Sequence, residues 1–265
     1  MSYSRISAIV LRQFYLIRDN PSRTTQLFVW SFLEIVLWGF VSAYVAEEAG
    51  VRFEFVFLGA IILWEFLVRV MYGLTLTFFE DVWSRNFLNI FASPLMVGEY
   101  LFGMVASSVA TTAISFSAML IFAWLLFGFS VAVLGASLLP FLLVLFLTGI
   151  ALGIVGVAFV LRFGPSAEWF IWPLPAVISP FAGVFYPVAT LPSWVHPISA
   201  ALPPTYVFEG MRSVLAGGSF EYTALFKGAL LALVAIACAY AYFMSVYRRA
   251  VRTGLLARYS AETVS

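Results

Sequence analysis

Residues 100–161 read YLFGMVASSVATTAISFSAMLIFAWLLFGFSVAVLGASLLPFLLVLFLTGIALGIVGVAFVL, 62 positions without a charged side chain between Glu99 and Arg162. A soluble domain carries roughly 25% charged residues, and no water-soluble fold needs a neutral run of this length. Two membrane helices and a short turn do, because each crossing takes about 20 apolar residues. These two are Tyr100–Phe127 and Leu134–Leu161. The remainder repeats the pattern: of 265 residues 63% are apolar and 10% charged, with mean hydropathy +1.02. Further spans are expected at Thr25–Ala46, Phe55–Phe79, Trp169–Val188 and Ala224–Tyr247. Lipid offers no partners for backbone groups, so helix is the expected state, and the alternating pattern of a membrane β-barrel is absent. The expected fold is an all-α polytopic membrane protein of six spans, one domain over residues 1–265.

Orientation follows from the placement of Lys and Arg. With the N-terminus inside, ten arginines are cytoplasmic: Arg5, Arg12, Arg18, Arg23, Arg85, Arg162, Arg248, Arg249, Arg252 and Arg258. Three cations, Arg52, Arg212 and Lys227, are outside. That asymmetry predicts both termini in the cytoplasm, with residues 248–265 as a cytoplasmic tail. Arg5 and Arg12 also interrupt any apolar core of a cleavable signal.

Three segments outside the spans carry information. Tyr3–Asp19, within a cytoplasmic stretch 1–23, is amphipathic at helical period, with Ile6, Ile9, Val10, Phe14 and Ile17 on one arc. It reads as an interfacial helix on the inner leaflet, closed by an Asn20-Pro21 turn. The cytoplasmic loop 80–99 is too apolar for a solvated linker, since Trp83, Phe87, Leu88, Ile90 and Phe91 need a surface. A short helix is expected from Asp81 to Ala92, stopped before Ser93-Pro94. The stretch from Trp172 to Gly218 holds eight of the twelve prolines. Short helices are expected near Pro192–Ala201 and Pro204–Ala216. The hydrophobic segment 189–218 reads as a re-entrant hairpin in the outer leaflet or, alternatively, as a cap on the outer surface.

Catalytic patterns are missing. The chain has one lysine, Lys227, followed by Gly228, so it carries no P-loop and is expected neither to bind ATP nor to act as an enzyme by itself. The sole histidine, His196, lies between Val195 and Pro197 and reads as structural. The lone Cys238 sits in an apolar run, which leaves no disulfide framework and no cysteine metal site. A net charge of +1 gives no reason to expect a nucleic-acid partner.

Charges within spans are the sharper clue. Glu34 falls near the middle of the first span, and Glu65 and Arg69 near the middle of the second at i, i+4 spacing. A charge at that depth costs about 2.5–3.5 kcal/mol on insertion scales, so each must find a partner or water. The three form a polar patch on a transport route or, equally, a neutralised pair that fixes helix packing. The third span adds Ser107, Ser108, Thr111, Thr112, Ser115 and Ser117, read first as close packing and second as a pathway lining. Gly149, Gly153 and Gly156 on the fourth form a small-residue packing stripe.

An ordered series resembles the type-2 family of ATP-binding-cassette (ABC) exporter permeases. It runs Gly183-Val184-Phe185-Tyr186-Pro187, Leu191-Pro192-Ser193-Trp194, Leu202-Pro203, Thr205-Tyr206 and Glu209-Gly210-Met211-Arg212. Glu80 through Arg85 and Ala92-Ser93-Pro94-Leu95 look like the family's segment between spans two and three, with Asn86 where a glycine is expected. The resemblance implies a second permease copy, most simply in a homodimer, and cytoplasmic ABC ATPase subunits that hold ATP and Mg2+. It implies a prokaryotic plasma-membrane location. It also implies an ATPase-coupling role for Glu80, Asp81, Trp83, Arg85, Phe87 and Pro94, and an outer gate at Pro187, Pro192, Trp194, Thr205, Tyr206 and Arg212. The expected cargo is lipid-like, drug-like or a lipid-linked glycan. A membrane-embedded enzyme and a non-transporting scaffold are the competing readings.

Single cysteines at Ser2 and Ser265, in a Cys238→Ala background, are expected to resist membrane-impermeant labelling in intact cells. Labelling at either end would overturn the topology.

Overall fold

The computed structural model describes residues 2–49, 51–84, 90, 93–218 and 221–253. Among them there is no strand, and five helices are long and apolar enough to cross a membrane. These are α2 (Pro21–Ala49), α3 (Val51–Trp83), α4 (Val97–Phe127), α5 (Leu138–Phe163) and α10 (Tyr222–Thr253). The amphipathic stretch forms α1 (Tyr3–Arg18), and Pro21 opens α2 two residues after it closes at Asp19. Short helices α6 (Glu168–Ile171), α7 (Leu174–Ile178), α8 (His196–Ala201) and α9 (Pro203–Leu215) fill the region before α10.

The core is built on α3 and α5. Met71, Leu74 and Phe78 of α3 are fully buried with Val157 and Leu161 of α5 and Phe243 of α10. The glycine stripe explains the closeness of the two central helices. A Cβ at Gly149 would sit 2.9 Å from the Leu67 carbonyl oxygen, and one at Gly153 would sit 2.9 Å from Leu74 Cβ. At Gly156 the neighbour is the Thr75 hydroxyl, which donates to the Met71 carbonyl within α3. Small residues let backbones approach where lipid supplies no hydrophobic drive between helices.

Two expectations are corrected. Trp169–Val188 is not one helix: it breaks into α6, α7 and a run of turns, followed by a 3-10 turn at Val188–Thr190. Hydropathy alone sees a span, but Pro173, Pro175 and Pro180 each lack an N–H and disfavour helix at the residue before them. The segment still follows α3 for most of its length. Ala167 packs in the cluster with Phe79 and Val82, Trp172 meets Tyr72, and Phe185 meets Phe57. Tyr72 and Phe57 are 15 residues apart on α3, about 22 Å. The second correction concerns Asp81, which does not begin a separate helix: α3 continues through Trp83. Most of the expected 81–92 helix, including Arg85 and Phe87, lies outside the described residues.

α9 is well covered. Val207, Phe208 and Met211 are fully buried, Phe208 against Trp64 of α3 and Met211 beside Gly59. Pro203 and Pro204 start it in the first turn, where a missing N–H costs nothing.

Gly149→Ala is expected to destabilise the protein by about 1–3 kcal/mol, the usual cost of overpacking. A thermal melt in detergent, read beside the control Gly98→Ala, which has open space at its Cβ, measures this.

Candidate functional site

A cavity of about 700 Å³ opens between α2, α3, α4 and the broken segment. Along α3 its wall runs from Ile61 to Glu80, about 28 Å of helix, close to the roughly 30 Å of a hydrocarbon core. Gln13 and Ile17 of α1 border one end with Glu80; Trp38 and Phe185 border the other.

The cavity brings together the three intramembrane charges expected from the sequence. Glu34, Glu65 and Arg69 all line it. Arg69 Nη2 stands 3.8 Å from Glu65 Oε2, with both side chains 16% exposed, a longer contact than a fork-to-fork pair would make. Glu34 accepts a 3.0 Å hydrogen bond from the Trp38 indole N–H. Among the described residues no arginine or lysine pairs with Glu34.

The hydroxyl face of α4 divides between the two uses its residue types allow. Ser108 donates to the Val70 carbonyl at 3.0 Å, a packing contact between α4 and α3, and Ser117 faces outward. Ser107, Thr111, Thr112 and Ser115 line the cavity. Packing, the first reading from sequence, therefore holds for Ser108, while four residues border open space. Thr112 Oγ1 and Ser115 Oγ are buried without a hydrogen-bond partner, as are Gln13 Nε2 and Arg69 Nε. All four atoms belong to cavity-lining residues. A buried polar atom left unpaired costs about 1–3 kcal/mol, so a wall holding four of them is built for water or a polar guest.

The far end is closed by aromatic rings from three segments. Trp38 of α2 stacks on Phe185 at 5.9 Å between centroids, and Phe57 of α3 meets Trp38 at 6.1 Å and Phe185 at 5.7 Å. Sequence reasoning missed this lid, since no periodicity links three positions on separate elements. Phe185 is held from both sides. Arg212 of α9 donates to the carbonyls of Gly183 and Val184, and Glu209 accepts from the Val188 N–H at 2.7 Å while pairing with Arg212 at 3.0 Å. Gly183 has φ +62, a conformation that favours glycine. Arg212 thus sits behind the lid. Of the other expected gate residues, Pro187, Pro192 and Trp194 are exposed. Thr205 and Tyr206 border a separate cavity of about 410 Å³, and Tyr206 donates to the Ala200 carbonyl.

At the other end α1 is latched to α3 and α4 by charge. Asp81, fully buried, accepts from Arg12 and from the Tyr100 hydroxyl. Burial works against the Arg12 charge, but the hydrogen bond and charge of Asp81 outweigh it and hold its pKa above the ordinary arginine value. Glu99 accepts from the Ser2 N–H and from Arg5. The signal for this latch was present in the sequence as Arg5 and Arg12, two turns apart on the polar arc of α1. Of the expected coupling residues, Glu80 lines the cavity, Asp81 is committed to Arg12, and Trp83 and Pro94 are exposed. Trp83 stacks on Phe79 at 5.2 Å.

Removing one member of the Glu65–Arg69 pair strands a charge in a poorly solvated wall. Glu65→Gln and Arg69→Met singly are expected to cost about 3 kcal/mol each, the low end for buried pairs because the cavity wets one side. The double change is expected to cost less than the sum of the two, which a double-mutant cycle on thermal stability measures.

The match to known families covers the same ground. The family described as ABC-2 type transporter matches residues 5–216, a range that includes every residue of the cavity wall. Among curated proteins no relative matches the chain. The chain belongs to the ABC-2 type transporter family, as a multi-pass membrane permease subunit.

Proposed function

We propose that this chain is the membrane-spanning subunit of an exporter, paired with a second copy of itself and driven by ATP and Mg2+ on separate cytoplasmic ATPase subunits. The cargo passes through the cavity between α2, α3, α4 and the broken segment. One observation carries the reading: a cavity that holds charged and hydroxyl side chains in a mostly apolar wall borders about 28 Å of α3. With α1 on the cytoplasmic side, as the arginine asymmetry directs, the cavity is reached from within and closed outside by the aromatic lid. The broken segment supplies the sixth crossing, and 189–218 is the re-entrant element that holds the lid.

Coupling is argued from continuity. Trp83, 46% exposed, ends the same helix that carries Glu65 and Arg69. A partner that grips Trp83 therefore moves the cavity wall without an intervening hinge. The Arg12–Asp81–Tyr100 latch fixes this end of α3 to α1 and α4, so a load applied there is shared by three helices.

Truncating Trp83 to Ala is expected to leave insertion intact while weakening ATPase association by about 2 kcal/mol or more, the range of an interface hot spot. Copurification and ATP hydrolysis in proteoliposomes measure it. Wild-type recruitment and wild-type transport in that variant would remove Trp83 from the coupling surface.

A further inference from the structure

We infer that the cavity selects an amphiphilic organic cation of drug size; the inference rests on the transport reading above and names its cargo class. Three features of the wall converge. The first is charge. At the level of the intramembrane charges, the carboxylates of Glu34 and Glu65 share the wall with one guanidinium, Arg69, which is engaged with Glu65. Among the described residues Glu34 has a hydrogen bond from the Trp38 indole and no paired cation. An anionic guest would meet the Glu34 carboxylate in a medium that screens it poorly. A cationic guest relieves the charge Glu34 holds inside the membrane.

The second feature is the aromatic wall. Trp30, Trp38, Trp64, Tyr72, Trp172 and Phe185 border the same space as the carboxylates. Aromatic faces attract cations, more strongly where water is scarce, and carry large apolar contact area for a hydrophobic body. Neutral sugars also stack on aromatic rings and donate hydroxyls to a carboxylate, but they leave its charge uncompensated. The third feature is size. About 700 Å³ falls within the roughly 300–1,000 Å³ of sites that enclose drug-sized molecules. It does not enclose a lipid with two long chains or a lipid-linked oligosaccharide. The orphaned hydroxyls of Thr112 and Ser115 add hydrogen-bonding groups on the α4 wall, beside α2, which suits a polar substituent on the cation's body.

The test uses two ions of the same shape and opposite charge. Binding of tetraphenylphosphonium and of tetraphenylborate to the full-length permease in nanodiscs is measured by equilibrium dialysis, with empty nanodiscs subtracted. Saturable binding of the cation, with the anion bound at least about tenfold more weakly, is the expected result; Glu34→Gln should weaken the cation by about tenfold and Glu34→Asp should restore it. Equal binding of the two ions, preference for the anion, or a wild-type constant in Glu34→Gln overturns the inference. The comparison of the two ions on the wild-type chain stands even if Glu34→Gln does not fold. Adding the ATPase partner separates this inference from the reading it rests on. Cation binding without any nucleotide-dependent transport overturns the transport reading and leaves the site. ATP-dependent movement of a neutral or anionic lipid, with no cation binding, overturns the cation and leaves the transport reading.

Discussion

The structure depends on how the irregular stretch of backbone before α8 satisfies its peptide groups. Between α6 and the 3-10 turn at Val188 the helical ladder shrinks to the short α7 and a few turns, which leaves several peptide groups without the partners a long helix supplies. Side chains do so instead. Tyr72 donates to the Trp172 carbonyl, Tyr186 to that of Pro180, Ser199 to that of Phe181, and Arg212 to those of Gly183 and Val184. The Val188 N–H is returned to Glu209. Without these donors the segment would hold unpaired carbonyls, and its prolines oppose refolding as one helix. The cavity, the lid and the position of α9 all rest on this substitution of side-chain for backbone partners.

The same economy appears where α1 joins the bundle. Arg12 and Arg5 are spent on Asp81 and Glu99, and Ile9 fills the space left by Gly103 on α4. An amphipathic helix that only floated on a headgroup layer would not bury Gln13 or Ile9; α1 buries both. It is therefore part of the bundle and one rim of the cavity, through Gln13 and Ile17.

Much of this was legible in the sequence where one physical term dominates. Hydropathy set the long helices to within a few residues, because only helices of about that length satisfy the backbone in lipid. Glu34, Glu65 and Arg69 stood out for the same reason, as charges that no lipid contact can offset. The broken segment was missed because an average over 20 residues hides three prolines that act one at a time. The hydroxyl face of α4 was ambiguous in principle: serines and threonines at helical spacing serve packing and cavity lining equally, and Ser108 and Thr112, four residues apart, do one each. Arg212 was placed at a gate, but its contacts are with backbone carbonyls behind the lid, which residue type alone does not reveal. The lid itself needs three rings from three elements and has no local signature.

The closed end of the cavity bears on the electrical barrier of the membrane. A polar cavity that holds water carries the potential of the side it opens to, up to the point where the water stops. For a cavity filled from the cytoplasmic side, as proposed above, that point would be the Trp38, Phe57 and Phe185 rings. The voltage across the bilayer, worth about 2.3 kcal/mol per elementary charge at 100 mV, would then fall over the thickness of a few stacked rings instead of the full hydrocarbon depth. A field concentrated that way acts most strongly on whatever lies next to the rings. Glu34 is hydrogen-bonded to Trp38 at those rings, so its charge would stand where such a field is steepest.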